Sequence, residues 1–114
     1  MEKIDRQVFL YDFYGELLTE HQRQVYEDAV LNDMSLGEIA SERSISRQGV
    51  HDLIKRCDKL LEGYENKLHL IERFRQTRQQ VAKILELAKE CPKDAQEDHL
   101  EKIAAIAAKL SEEL

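Results

Sequence analysis

Arg47, Gln48, His51, Asp52, Lys55, Arg56 and Lys59 recur at three- and four-residue steps, the spacing that gathers side chains on one face of a helix. Val50, Leu53, Ile54, Cys57 and Leu61 fall on the opposite face. Four of the seven polar residues are cationic. An arginine fork matches the paired acceptors of guanine, a glutamine amide matches the donor and acceptor of adenine, and lysines and arginines further along suit phosphates. Asp52 is placed to order a neighbouring Arg or Lys, or to accept from cytosine. By itself a charged helix face is a solvated surface, so what precedes Arg47 decides between the two meanings.

What precedes it is a pair of helix starts. Ser35 with Glu38 forms a capping-box pattern that opens a short helix through Leu36, Ile39 and Ala40, and Ser46 is a second N-cap. Ser44-Ile45 must turn the chain between them. Ser44 stands where such turns commonly carry glycine, so a left-handed backbone is expected at a residue with a Cβ. Ile39, Ala40, Ile45, Val50 and Leu53 are spaced to share one small core between crossed helices, with Ala40 small enough for a close crossing. Arg47, Gln48 and His51 then occupy the turns from which a helix-turn-helix reads bases, and Lys55, Arg56 and Lys59 run toward phosphates.

LTEHQRQV at 18–25, SLGEIA at 35–40 and ISRQGVHDLIKRCDKLLE at 45–62 together resemble the fourth-region DNA-binding module of bacterial sigma factors. The marks are Leu18-Thr19, Arg23, Ile39-Ala40, Ile45-Ser46 and Val50. Adding the N-terminal block from Asp5 and the tail segment LHLIERF at 68–74, nearly the whole chain is similar to the YlxM family of small bacterial proteins. That resemblance implies an all-helical fold, a DNA-binding or regulatory role, and genes neighbouring those of the signal recognition particle.

The flanks must position this unit. Ile4, Val8, Phe9, Leu10, Tyr11, Phe13, Tyr14, Leu17 and Leu18 cover most sides of one N-terminal helix ending near Leu18, which implies burial within the chain or against a second subunit. Thr19 with Gln22 is another capping box, opening a helix that runs to Asn32 and exits at Asn32-Asp33. Gly63 either ends the helix begun at Arg47 or bends it. Beyond it Tyr64, Leu68, Ile71, Phe74, Val81, Leu85 and Ala88 mark a long amphipathic tail helix, interrupted at Arg78, with Arg73, Arg75 and Lys83 on its solvated side. Cys91-Pro92 breaks it, and Asp94 with Glu97 starts a last helix striped by Leu100, Ile103, Ala107, Leu110 and Leu114. That stripe should dock on the tail helix or on a partner.

The 114 residues are 42% apolar and 35% charged, with 4 Gly and 1 Pro, which suits a helix-rich class. The net charge is −6. Segments 19–63 and 91–114 are acidic and 64–90 is basic, so nucleic-acid affinity requires the cations to be segregated. MEKIDRQ does not show a basic-then-apolar signal pattern and no uncharged run approaches the ~20 residues that span a bilayer, so a cytoplasmic protein is expected. Cys57 and Cys91 are read as structural free thiols rather than a zinc framework. The histidines His21, His51, His69 and His99 lack metal-ligand spacing, and no catalytic motif occurs, so no enzyme activity, metal or cofactor is expected.

The expectation is an all-α protein: an N-terminal apolar helix over 1–18, a sigma region-4-like helix-turn-helix unit over 19–63 and a long helical tail over 64–114, forming one compact unit and pairing as a homodimer. Nucleic acid, DNA ahead of RNA, is the expected partner, with Arg47, Gln48, His51, Lys55, Arg56 and Lys59 as its contacts. The alternative is a protein- or RNA-interaction module acting on the signal recognition particle without binding DNA, which the acidic balance favours.

Overall fold

A computed structural model describes residues 2–113. Leu114, counted above in the last apolar stripe, lies outside the described residues. The described residues hold no strand; their helices are α1 (Lys3–Tyr14), α2 (Glu20–Val30), α3 (Leu36–Arg43), α4 (Arg47–Leu68), α5 (Leu70–Lys89) and α6 (Gln96–Glu113). The protein is therefore all-α. Packing divides it into two compact units, Met1–Ile71 and Glu72–Leu114.

Helix starts follow the capping chemistry. Thr19 Oγ1 accepts from the Gln22 amide at 3.2 Å while Gln22 Oε1 accepts from the Thr19 amide at 2.9 Å. Ser35 and Glu38 repeat the pattern with both bonds at 3.1 Å, and those bonds to Ser35 hold the Glu38 carboxyl below its usual range. Ser46 Oγ accepts from Gly49 N at 2.9 Å. Each closes orphan N–H groups of a first helical turn.

Helix ends depart further from the sequence expectations. α1 stops at Tyr14, not near Leu18, and Gly15–Leu17 tighten into a 3₁₀ turn. A Cβ on buried Gly15 would lie 2.8 Å from the Tyr11 ring, so the chain needs glycine to pass that ring. α2 stops at Val30, and Asp33 takes the left-handed backbone (φ 52°) that turns the chain toward α3. Gly63 lies inside α4, which runs on to Leu68 and ends where His69 adopts φ 56°, ψ 31°. The buried Glu65 carboxyl explains that break. Its Oε1 accepts from the Tyr14 hydroxyl at 2.5 Å and from Ile71 N at 3.0 Å, while Tyr14 Oη accepts from Leu70 N at 3.1 Å. Two orphan donors of the first turn of α5 are thereby satisfied from inside the fold.

Two apolar clusters fill the first unit. Leu10, Tyr14, Leu18, Tyr26, Val30, Cys57, Leu61 and Ile71 form one, which buries α1 against α2 and α4 within the chain. Val25, Ile39 and Val50 form the other, flanked by Ala40, Ile45 and Leu53, as the helix-crossing spacing requires. In the second unit Thr77, Gln80, Ile84 and Leu87 of α5 and His99, Ile103, Ile106 and Leu110 of α6 are half-buried. Thr77 and Leu110 line one groove, so α6 returns antiparallel to α5. The tail stripe expected to be covered is the open one: Phe74, Val81 and Leu85 are 43%, 44% and 52% exposed. Period alone could not choose between two stripes on α5 that both recur at three and four residues.

Candidate nucleic-acid interface

Between α3 and α4 the chain turns on Ser44, whose φ of 58° and ψ of 41° are left-handed as expected. The Ser44 and Ile45 amides both return to Ala40 O, the latter at 3.1 Å. Both bonds fall on one of the orphan carbonyls at the end of α3. Ile45 packs into the smaller cluster, which pins the turn and leaves Ser46 free to cap α4.

Every one of Arg47, Gln48, His51, Asp52, Lys55, Arg56 and Lys59 is exposed, while Val50, Cys57 and Leu61 are fully buried. The two faces of α4 are thus as the spacing placed them. Asp52 does not order an arginine or lysine. It accepts from Gln48 Nε2 at 2.9 Å and lies 3.6 Å from His51 Nδ1. Arg47 folds back across α3, where a Cβ on Gly37 would meet its Nη2 at 2.8 Å.

The inner side of α4 carries a polar layer that sequence reasoning missed. Arg6 grips Glu62 with two bonds of 2.9 Å, which holds that carboxyl low. Asp58 accepts from Tyr26 Oη at 2.6 Å and Gln7 Nε2 at 3.0 Å, and burial followed by this bond raises the Tyr26 phenol far above its usual range. Buried Asp28 pairs with Arg43 at 3.0 Å, tying α2 to the last turn of α3, and Gln24 also binds that guanidinium. The Tyr11 hydroxyl donates to Glu27. Burial raises the Cys57 thiol to about 11. The one available signal was polar residues on apolar faces, as at Asp28 and Glu65. Acids Asp58, Glu62 and Glu65 therefore face inward or sideways on α4 while Arg47, Lys55, Arg56 and Lys59 face outward. The net charge of the segment conceals that separation.

A short helix, a left-handed turn and a longer helix with open first turns define a helix-turn-helix protein. The chain belongs to the family described as "Putative helix-turn-helix protein, YlxM / p13 like", whose model matches residues 1–106. It is 47% identical over 90 residues to UPF0122 proteins of Bacillus thuringiensis (strain Al Hakam) and Bacillus mycoides (strain KBAB4), covering 79% of this chain and 82% of each relative. A UPF0122 protein of Bacillus anthracis (strain A0248) matches to the same extent. Among the described residues no group of three or more His, Cys, Asp or Glu is placed to hold a metal, and no helix is long and apolar enough to cross a membrane.

Proposed function

We propose that the protein binds duplex nucleic acid, DNA ahead of RNA, through the outer face of α4, and acts as a cytoplasmic, non-enzymatic regulator. Arg47, Gln48 and His51 contact base edges from the first turns, and Lys55, Arg56 and Lys59 contact phosphates. The observation that carries this reading is the segregation of α4 into a buried apolar face and an exposed face with four cations. Dimerisation would double a weak, acidic module into a useful binder. Burial of α1 inside the chain removes one reason to expect a dimer; the open stripe of Phe74, Val81 and Leu85 remains as its support.

Fluorescence anisotropy at about 50 mM salt, where phosphate contacts are strong, tests the assignment. Arg47→Ala and Gln48→Ala each weaken a preferred duplex by about 1–3 kcal/mol and relax selectivity. Lys55→Ala and Arg56→Ala weaken all sequences alike and flatten the salt dependence. The net charge of −6 favours a second reading, an interaction module for the protein or RNA of the signal recognition particle. Absence of DNA binding by the intact chain at that salt would select it.

A further inference from the structure

Two residues outside the proposed reading set lie against its side chains. A carboxylate oxygen only accepts, so the 2.9 Å bond to Asp52 Oδ1 must come from the amino end of the Gln48 amide. That leaves Gln48 with its carbonyl oxygen and one N–H unspent, the acceptor and donor that adenine's major-groove edge matches and guanine's two acceptors do not. His51 Nδ1, 3.6 Å from the same oxygen, is beyond hydrogen-bond range but within its field. A carboxylate on a face turned toward phosphates also repels them, which is a strange residue to find there unless it organises its neighbours.

Gly37 acts on Arg47 from α3. No glycine among the described residues has a positive φ, so the backbone does not require glycine at 37, and alanine is the better helix former. What a Cβ there would meet is the end of the Arg47 side chain, 2.8 Å from Nη2 and 3.1 Å from both Cζ and Nε, so it is the guanidinium lying on the bare backbone, and not the fold, that would have to move. Glu38, Ser41 and Glu42 line the same shallow groove.

We propose that Asp52 and Gly37 are positioning residues that set the sequence selectivity of α4, Asp52 by orienting Gln48 and His51, and Gly37 by seating Arg47. The inference rests on the reading of α4 as the nucleic-acid face. Its test uses the full chain, the duplex recovered when wild-type protein selects from a randomised 20-base-pair library (about two helical turns), and a scrambled duplex of the same composition. Asp52→Ala lowers the ratio of the two affinities by about tenfold, the scale of one bidentate contact, while binding the scrambled duplex more tightly. Asp52→Asn, whose Oδ1 still accepts from Gln48, keeps the wild-type ratio but shares the tighter scrambled binding. Gly37→Ala lowers the ratio with no loss of melting temperature, and adds nothing in an Arg47→Ala background. In the free protein the Gln48 side-chain amide resonances shift in Asp52→Ala and not in Gly37→Ala. A selective wild type whose ratio is unchanged in Asp52→Ala and Gly37→Ala overturns this inference alone; a wild type that binds no duplex overturns the reading of α4 and the inference with it.

Discussion

Replacing Tyr14 by Phe removes one oxygen and disturbs two bonds at once. The hydroxyl donates to Glu65 Oε1 at 2.5 Å and accepts from Leu70 N at 3.1 Å. Tyr14 is 1% exposed and Glu65 6% exposed, so water cannot replace the lost donor without opening the core. Losing a hydrogen bond to a buried carboxyl costs about 1.5–3 kcal/mol. The Leu70 amide is less costly, because Leu70 is 39% exposed and water can serve it for a fraction of about 1 kcal/mol. The ring is retained, so no cavity term applies. The total is about 2–3 kcal/mol, a large share of the stability of a small unit. Urea unfolding followed by helical circular dichroism measures it, and hydrogen exchange localises it: Leu70 and Ile71 amides should lose protection before those of α2. A variant within about 0.5 kcal/mol of wild type, the range of a neutral surface change, with unaltered exchange at Leu70 and Ile71, would refute the role assigned to this junction.

Ala40→Leu overpacks the α3–α4 crossing and Val50→Asp buries an unpaired charge, so each costs several kcal/mol, about 2–5 by either mechanism; calorimetry showing unchanged melting would contradict the core assignment. Glu62 has its folded pKa depressed by Arg6, so its contribution is present above the ordinary value of 4.5 and disappears as pH falls through the folded value. Glu62→Gln should therefore flatten the stability profile below that pH in acid titrations of the melting point. Cys57, buried with its thiol raised to about 11, should resist a disulfide reagent at pH 8 until the protein unfolds, while the partly exposed Cys91 reacts at once; equal rates would place Cys57 wrongly. Light scattering at micromolar concentration checks the homodimer, and a mass of 13.3 kDa would dismiss it.

Local chemistry was legible where it acts over three or four residues. Thr19, Ser35 and Ser46 signal their helices because an N-cap satisfies donors within its own turn, and the left-handed Ser44 follows from the need to reverse the chain within three residues. The exposed and buried faces of α4 followed from period alone. What was hidden depends on partners remote in sequence. Nothing near Glu65 announces that Tyr14, 51 positions away, will draw it inward and end α4 five residues beyond Gly63. Asp52 has helical neighbours at Gln48 and at Arg56, and spacing alone does not say that it accepts from the first. The tail was ambiguous for a third reason: the covered stripe of α5, Thr77, Gln80, Ile84 and Leu87, is half polar and less apolar than the open one, and only the returning α6 decides which is covered.

Because α4 is an uninterrupted rod of 22 residues, it works as a lever. Cys57 sits ten residues from Arg47, about 15 Å at the rise of a regular helix, and the contacts of α1 with Asp58, Glu62 and Glu65 all grip the arm beyond that pivot. A tilt of about 5° there would sweep Arg47 through about 1.3 Å, more than the roughly 0.5 Å within which a recognition geometry must be held. Val50, three residues from Arg47, is held by Val25 and Ile39, so the aim of the outer face is shared between that grip and the one beyond Cys57, and changes in α1 such as Arg6→Lys or Gln7→Ala should alter it without touching it.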